Sequence, residues 1–460
     1  MAPRNRYIQN VPLNYVHLAA WVRDRGHAPH VLDMVFDDVT ESFVDDYLRR
    51  HAIRVVGIGA MTCEMPQAVE QAKRLKSAHP GLTIVFGGAH PSGDPEECLM
   101  TGAVDYVIAG EGEIALTKLL DALEAGAEVP VIAGVWRMAG GKPEQNVPSE
   151  MPDVESLPRP AYDLLDLNKY FALDSPWHFP KSRNAVQMIT SRGCPYQCSY
   201  CHTIHGKKFR GMSPAKVLDE IEYLYKTHGV RELMIVDDIF NLDLERAKAI
   251  CRGIRDRGMR LHLQFPNGVR GDRFDEELVQ EMKLAGTHFM SVAIETVSEG
   301  FQKLIRKNLK IDKSLETIHW AHKYRIEVSG FFMIGFPGET LDQVRETLDF
   351  AASAPLDAIF ISIVAPFKGT VLRNDILNGR FGEVDEPGRE ALNELFPVIQ
   401  NKGLTPAMLN RLRKETYWRF YTKPRSILNL AKKMTNTRNV NKLVRAVGRR
   451  VFERKSVSVN

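Results

Sequence analysis

Short unbroken apolar runs alternate along the chain with segments whose apolar residues recur at helical spacing. In the first third the runs are HAPHVLDM, IRVVGIGA, LTIVFGG and VDYVIAG, rich in β-branched residues and mostly closed by glycine. Between and before them lie YVHLAAWVRDRG, PQAVEQAKRLKSAHPG, PEECLMTG and EIALTKLLDALEAG, each with an apolar stripe on one helical face. Strands that read as continuous apolar runs, separated by helices, predict a parallel sheet covered on both faces.

VPSEMPDVESLPRPAYDLLD follows, with Pro148, Pro152, Pro158 and Pro160, and reads as a linker. The alternation then resumes with six runs: AVQMIT, ELMIVDD, LHLQFPNG, HFMSVAIET, EVSGFFMIGFPG and AIFISIVAP. Six strand-plus-helix units predict a partial (β/α)6 TIM-type barrel with its chemistry at the carboxyl ends of the strands. From about residue 373 the pattern is helical. The expected fold class is α/β: a Rossmann-like domain over 1–140, a linker over 141–183, the barrel over 184–372 and a helical, basic region over 373–460.

Composition changes this picture little. The chain has 460 residues, 44% hydrophobic and 26% charged, which is ordinary for a globular protein. No apolar run reaches the roughly 18 residues that a membrane span needs. Without a charged-then-apolar leader and with six cysteines, the chain reads as cytoplasmic with reduced thiols. Charge is more informative. Residues 402–460 carry 16 Lys and Arg against Glu415 and Glu453, a charge of +14, so the net +4 leaves −10 for the first 401 residues. The basic end reads first as a solvated face. A contact with anionic lipid at a membrane surface, or with an acidic substrate, is the sharper alternative. Nucleic acid is disfavoured because no binding module accompanies the charge.

The stretch TSRGCPYQCSYCH holds Cys194, Cys198 and Cys201 at C-x3-C-x2-C, directly after the first barrel strand. Soft thiolates suit iron–sulfur clusters or zinc. Zinc would want a fourth ligand, for which His202 and His205 are at hand. A [4Fe–4S] cluster held by three thiolates leaves one iron open. Cys63, Cys98 and Cys251 stand apart and read as small buried hydrophobes.

The C-x3-C-x2-C spacing, with Tyr200 before the last cysteine and a (β/α)6 barrel around it, resembles the radical S-adenosylmethionine (SAM) enzymes. The resemblance implies that SAM chelates the open iron and that reduction releases a 5′-deoxyadenosyl radical. It further implies that Asp237 and Asp238, ending the second barrel strand, lie by SAM's ammonium. Glu295 would bind SAM's ribose or ammonium, and Arg270 SAM's carboxylate or a substrate anion. Gly335, Pro337 and Gly338 would lie beside the adenine. The plainer reading of Asp237, Glu295 and Arg270 is barrel-mouth ion pairing.

The glycine loops of the first domain, in order with the linker LPRPAYDLLD and the cysteine motif, resemble the cobalamin-binding domain of one radical SAM subfamily. Gly87, Gly88, Gly110 and Gly112 would admit the macrocycle and its tail, with Glu111 and Glu113 beside them and Thr62 bonding the tail or an amide arm. Taken alone, such glycines fit any nucleotide-binding Rossmann-like domain. No D-x-H-x-x-G occurs, so no histidine is assigned to the lower face of cobalt. The resemblance also implies a strand ahead of PLNYVHLAAWVRDRGH, where RYIQN is short and polar. The expectation is an incomplete sheet edge, or a coding start set too far downstream.

Together these imply a cobalamin-dependent radical SAM methyltransferase with three cofactors: a [4Fe–4S] cluster, SAM and cobalamin. It would act on an unactivated carbon of a small-molecule or lipid-like substrate and draw electrons from an external flavodoxin- or ferredoxin-type donor. The alternatives are a cyclase or oxidase of the same subfamily, related to the anaerobic porphyrin cyclases, and a zinc-stabilised nucleic-acid-binding protein.

Overall fold

The structure, a computed structural model, describes residues 11–36, 38–126, 129–144, 147–173, 180–381 and 404–433. Its first sheet runs in the order β1 (Val55–Gly59), β2 (Thr83–Gly87), β3 (Tyr106–Ile108), β4 (Val135–Ala139), β5 (Lys142–Glu144). β1 to β3 are parallel, and β4 and β5 form an antiparallel hairpin whose pairing the apolar pattern does not disclose. The helices Met65–Ala78, Pro95–Met100 and Gly112–Glu124 fall where the helical periodicity predicts them.

The run HAPHVLDM is not a strand. Leu32 and Met34 do pack on the domain core. The backbone, however, takes a local turn in which Asp33 accepts from the Val35 amide at 3.0 Å, while its other oxygen accepts from Tyr170 at 2.8 Å. A side chain that offers such bonds competes with ladder formation. β1 is the edge of the sheet among the described residues, and residues 1–10 lie outside them.

The second sheet is fully parallel, in chain order: β6 (Ala185–Met188), β9 (Glu232–Ile235), β10 (His262–Val269), β11 (Thr287–Glu295), β12 (Glu327–Ile334) and β13 (Ala358–Ile363). Between β6 and β9 sits the small antiparallel pair β7 (Ser191–Arg192) and β8 (Arg210–Gly211). The six runs read as barrel strands are these six. Helices Pro214–Thr227, Leu244–Asp256, Glu276–Leu284, Ile311–Lys323 and Leu341–Ser353 alternate with them. The large apolar core lies in this unit, with Val186, Leu233, Leu263, Met290, Val328 and Ile359 all buried on successive strands.

An open parallel sheet leaves an edge at β13. The helix Pro406–Tyr421 covers it: the Ile361 amide donates to the Tyr417 hydroxyl at 2.9 Å and the Ile359 amide to Tyr421 at 3.5 Å. Satisfying edge amides with side chains removes a pairing site for other strands. Three basic residues of the described segment take part in the same docking. Arg419 pairs with Asp349 at 2.6 Å, Arg425 with Asp357 at 3.6 Å, and Lys423 donates to the Ala352 carbonyl. Residues 434–460, which hold seven of the 16 basic residues behind the lipid-surface reading, lie outside the described residues. Among the described residues no helix is long and apolar enough to cross a membrane.

Two contacts fix the first domain over the barrel mouth. At one, Arg192 pairs with Glu111 at 3.2 Å and Glu113 at 2.7 Å, all three side chains at most 4% exposed. Arg210 and His205 reach the same Glu111. At the other, Lys368, in the loop after β13, pairs with Asp94 at 2.6 Å and with Glu97. There the backbones touch: a Cβ on Gly93 would fall 2.5 Å from the Lys368 carbonyl oxygen. Loops after β2 and β3 thus reach the loops after the last and first barrel strands, and bridge the gap left by an incomplete barrel.

Burial disfavours the Glu111 carboxylate. Hydrogen bonds from His205 and Arg210 and the charge of Arg192 outweigh it and hold its pKa near about 2, below the ordinary 4.5. A folded value below the unfolded one contributes stability that is complete above pH 4.5 and lost as pH falls towards 2. Removing one partner from a buried ion pair costs about 3–5 kcal/mol. Arg192→Met is therefore expected to lower the thermal transition strongly at neutral pH. Glu111→Gln should be less stable than the parent at pH 7 and should lose less on acidification. Equal acid sensitivity of parent and Glu111→Gln by calorimetry would contradict this.

Candidate active site

The cysteine loop leaves β6 through a turn braced from β9. Asp237 is buried, and its carboxylate accepts from the Thr190 amide, the Thr190 hydroxyl and the Ser191 hydroxyl, each at 2.6 Å. Three donors on one carboxylate give Asp237 the work of fixing the turn. Burial still raises its pKa, against those bonds. Asp238 is exposed and accepts from the Gly193 amide at 2.9 Å. Gly193 has φ +83°, and a Cβ there would run into the Lys208 carbonyl, so the entry to the loop tolerates no side chain.

Further along, the Ser199 amide donates to Ile305 O at 2.9 Å, and Ser199 O accepts from the Leu372 amide at 2.8 Å. These bonds tie the loop to the segments after β11 and β13. Cys194, Cys198 and Cys201 are free thiols, half-buried, buried and half-buried in turn. A hydrogen bond from Cys201 draws Cys198 down to about 6, and the same contact with burial pushes Cys201 up. Of the other cysteines, Cys98 and Cys251 are buried as expected, whereas Cys63 is exposed. Its loop after β1 lies on the surface rather than in the core.

Tyr200 packs edge-on to Phe336 at 6.0 Å, and its buried hydroxyl, without a well-formed hydrogen bond, faces the charge of Glu295. Glu295 ends β11 in a left-handed conformation, φ +69°, and meets Lys307 at 3.5 Å. Arg270 is otherwise occupied. Its guanidinium donates to Lys307 O at 2.9 Å and Asn308 O at 3.0 Å, pairs with Asp272 at 2.8 Å, and lies 3.7 Å over the Tyr196 ring. Gly335 and Gly338 follow β12 with φ of +83° and +81°, and flank Pro337. Glu339 accepts there from the Gly335 and Phe336 amides at 2.6 and 3.0 Å, while its second oxygen is buried without a partner. Burial raises its pKa to about 7.

In the first domain, Thr62 is buried with its hydroxyl 3.3 Å from His90. Gly87 is open: a Cβ would meet nothing nearer than Ile108 O at 3.9 Å. Gly88, φ +93°, lies against Ala60. At the other glycines the close neighbour is protein, Ser149 at Gly110 and Leu18 at Gly112. The carboxylates of Glu111 and Glu113 face Arg192 across the domain interface, because two buried charges there need a partner. Sequence reasoning missed Arg192, Lys307, Lys368 and Glu339. Arg192 carried a signal, a cation beside a metal-binding motif in an apolar stretch; the other three carried none.

The residues fit the expected groups. Three reduced thiols hang from one braced loop, and one carboxylate oxygen of Glu339, beside the glycines after β12, is buried without a hydrogen bond. His205 is bonded to Glu111 at 2.8 Å, and the His202 ring stacks on Phe367 at 5.9 Å. Over the mouth stands an α/β domain with an open glycine at its sheet end.

A thiol-bearing loop at the first strand end of a (β/α)6 barrel, under such a domain, defines the class of radical SAM enzymes. Residues 188–351 match the radical SAM superfamily and residues 5–120 the B12 binding domain. An uncharacterized methyltransferase of Pyrococcus horikoshii is 30% identical over 430 residues, covering 91% of this chain and 89% of that protein. The cytidylyl-2-hydroxyethylphosphonate methyltransferase of Streptomyces wedmorensis is 26% identical, covering 82% and 79%. The fold is that of the radical SAM methyltransferase TsrM of Kitasatospora setae, solved with cobalamin and a [4Fe–4S] cluster: TM-score 0.70, 19% identity, covering 88% of this chain and 82% of that one. The chain belongs to the cobalamin-dependent radical SAM methyltransferase family, whose cofactors are a [4Fe–4S] cluster, SAM and cobalamin.

Alanine at any of Cys194, Cys198 or Cys201 is expected to abolish the cluster's visible absorption and 5′-deoxyadenosine formation after anaerobic reconstitution. Asp237→Asn replaces an acceptor of three bonds with a poorer one. It should cost about 1–3 kcal/mol in unfolding free energy while leaving all three thiols titratable.

Proposed function

We propose that this enzyme methylates an unactivated carbon of a small-molecule or lipid-like substrate bound between its two domains. One observation carries the reading. The two interface clamps, Arg192 with Glu111 and Glu113, and Lys368 with Asp94 and Glu97, turn the strand-end loops of the first domain towards the cysteine loop. When bound, the cluster with SAM supplies a hydrogen-abstracting 5′-deoxyadenosyl radical, and cobalamin supplies the methyl group.

The chain's own residues hold these partners in register and keep water out. Cys194, Cys198 and Cys201 carry the cluster. Tyr200, Asp238, Glu295, Gly335, Pro337 and Gly338 surround SAM, and Arg270 and Asp237 brace that set from behind. Thr62, Gly87 and Gly88 line the cobalamin side, with Gly110, Glu111, Gly112 and Glu113 joining that side to the barrel. An external one-electron donor of flavodoxin or ferredoxin type completes the system.

Incubation of the reconstituted enzyme with methyl-deuterated SAM, a reductant and substrate should give S-adenosylhomocysteine and 5′-deoxyadenosine together. The label should appear in the product. 5′-Deoxyadenosine formed without S-adenosylhomocysteine would sink methylation in favour of cyclase- or oxidase-type chemistry.

A further inference from the structure

On one flank the cysteine loop is reached through a thin layer of protein. Ser199, next to Cys198 and only 3% exposed, donates its amide to Ile305 O at 2.9 Å and accepts from the Leu372 amide at 2.8 Å. Ile305 directly follows the short helix Glu299–Leu304, and Leu372 lies in the helix Val371–Leu377. The two helices close over the loop through one small apolar cluster. Phe301, Ile305, Phe336 and Leu372 are buried in it, and Tyr200 packs against them.

The outer side of this helix pair is apolar and basic. Leu304 is 38% exposed, Val371 37% and Leu377 59%. Lys303 and Arg380 stand beside them with acidic neighbours, Glu299 at 2.7 Å and Asp375 at 2.9 Å. The excess of positive charge is therefore carried by Arg306, exposed in a left-handed turn at φ +57°, and by Arg373. It sits on a body whose first 401 residues carry −10. Exposed apolar side chains among charges are the composition of a protein contact. A transient redox encounter needs little surface, under about 1,200 Å² in total.

The chemistry at the mouth draws an electron from outside, and electron tunnelling weakens steeply with distance. The mouth itself is taken by the first domain, clamped on both sides. The flank, by contrast, leads by two hydrogen bonds to the residue beside Cys198. We propose that the face made by helices Glu299–Leu304 and Val371–Leu377 docks the external one-electron donor, a small acidic carrier protein. The carrier is oxidised by one electron, and the cluster held by Cys194, Cys198 and Cys201 is reduced by one. This inference rests on the reading that these thiols hold the cluster.

The test uses the full chain reconstituted with cluster and cobalamin. The probes are a bacterial flavodoxin in its hydroquinone form, a reduced ferredoxin, and dithionite, which needs no docking face. Arg306→Glu and Leu377→Asp each change one exposed side chain, on different sides of the face. Each is expected to weaken carrier binding to the holoenzyme at least about tenfold by calorimetry. Carrier-driven cluster reduction, followed by stopped flow, should slow to match. Dithionite-driven 5′-deoxyadenosine formation should stay within about twofold of the parent. Raising the ionic strength should slow the carrier with the parent more than with Arg306→Glu.

Carrier binding and carrier-driven reduction within about twofold of the parent in both variants would overturn the assignment. So would an equal loss with dithionite, which would put these residues in the reaction rather than at a docking face. If one variant does not fold, the other decides alone. A parent reduced by dithionite but by neither carrier also overturns it. A parent in which dithionite itself reduces no cluster would instead defeat the underlying reading of the thiols.

Discussion

Everything at this site depends on one buried knot of charge. Glu111 and Glu113, from the first domain, face Arg192 and, through Glu111, Arg210 and His205 of the barrel. Isolated charges at such depth would be costly. Each domain therefore supplies the half that makes the other tolerable, and separating them would strand both. The knot lies two residues before Cys194, so the same contact that joins the domains also sets the start of the cysteine loop. Lys368 with Asp94 and Glu97 repeats the arrangement across the barrel's opening. With a clamp on each side, the spacing between the two cofactor-facing surfaces is a property of the fold rather than of a flexible linker.

Around this frame, polar groups are divided between bracing and facing the mouth. Asp237 holds Thr190 and Ser191 at the entry to the loop of three thiols, while Arg270 and Asp272 hold each other and the backbone of Lys307, Asn308 and Lys310. The second oxygen of Glu339 is buried without a partner, and Glu295 meets Lys307 at 3.5 Å. A folded protein seldom leaves buried polar atoms so, and where it does a ligand commonly completes the set. The left-handed backbones at Glu295, Arg306 and Asn308 belong to the same region, where the barrel scaffold stores strain to aim side chains.

The sequence determined a good deal. Largely apolar runs identified the strands of the barrel, because a strand buried on both faces has few polar positions to show. The C-x3-C-x2-C spacing pointed to a loop with three soft ligands close together along the chain, and the cluster reading came with the family resemblance. Glycine loops with the Pro-rich linker suggested the domain ahead of the barrel. Local pattern failed where pairing is not local. HAPHVLDM has a strand's composition, yet Asp33 turns it away from any ladder.

Tertiary structure decided which charged residue does what. Asp237 and Asp238 are adjacent and chemically alike, but one is buried under three donors and the other faces the mouth. Glu111 and Glu113, grouped by sequence with the cobalamin glycines, are spoken for by Arg192. Arg270, grouped by sequence with the SAM contacts, is spent on the carbonyls of Lys307 and Asn308, more than thirty positions later in the chain. The physical reason is one of range. Strand, helix and ligand spacing are set by neighbours along the chain, whereas the role of a charge is set by whichever opposite charge the fold buries against it.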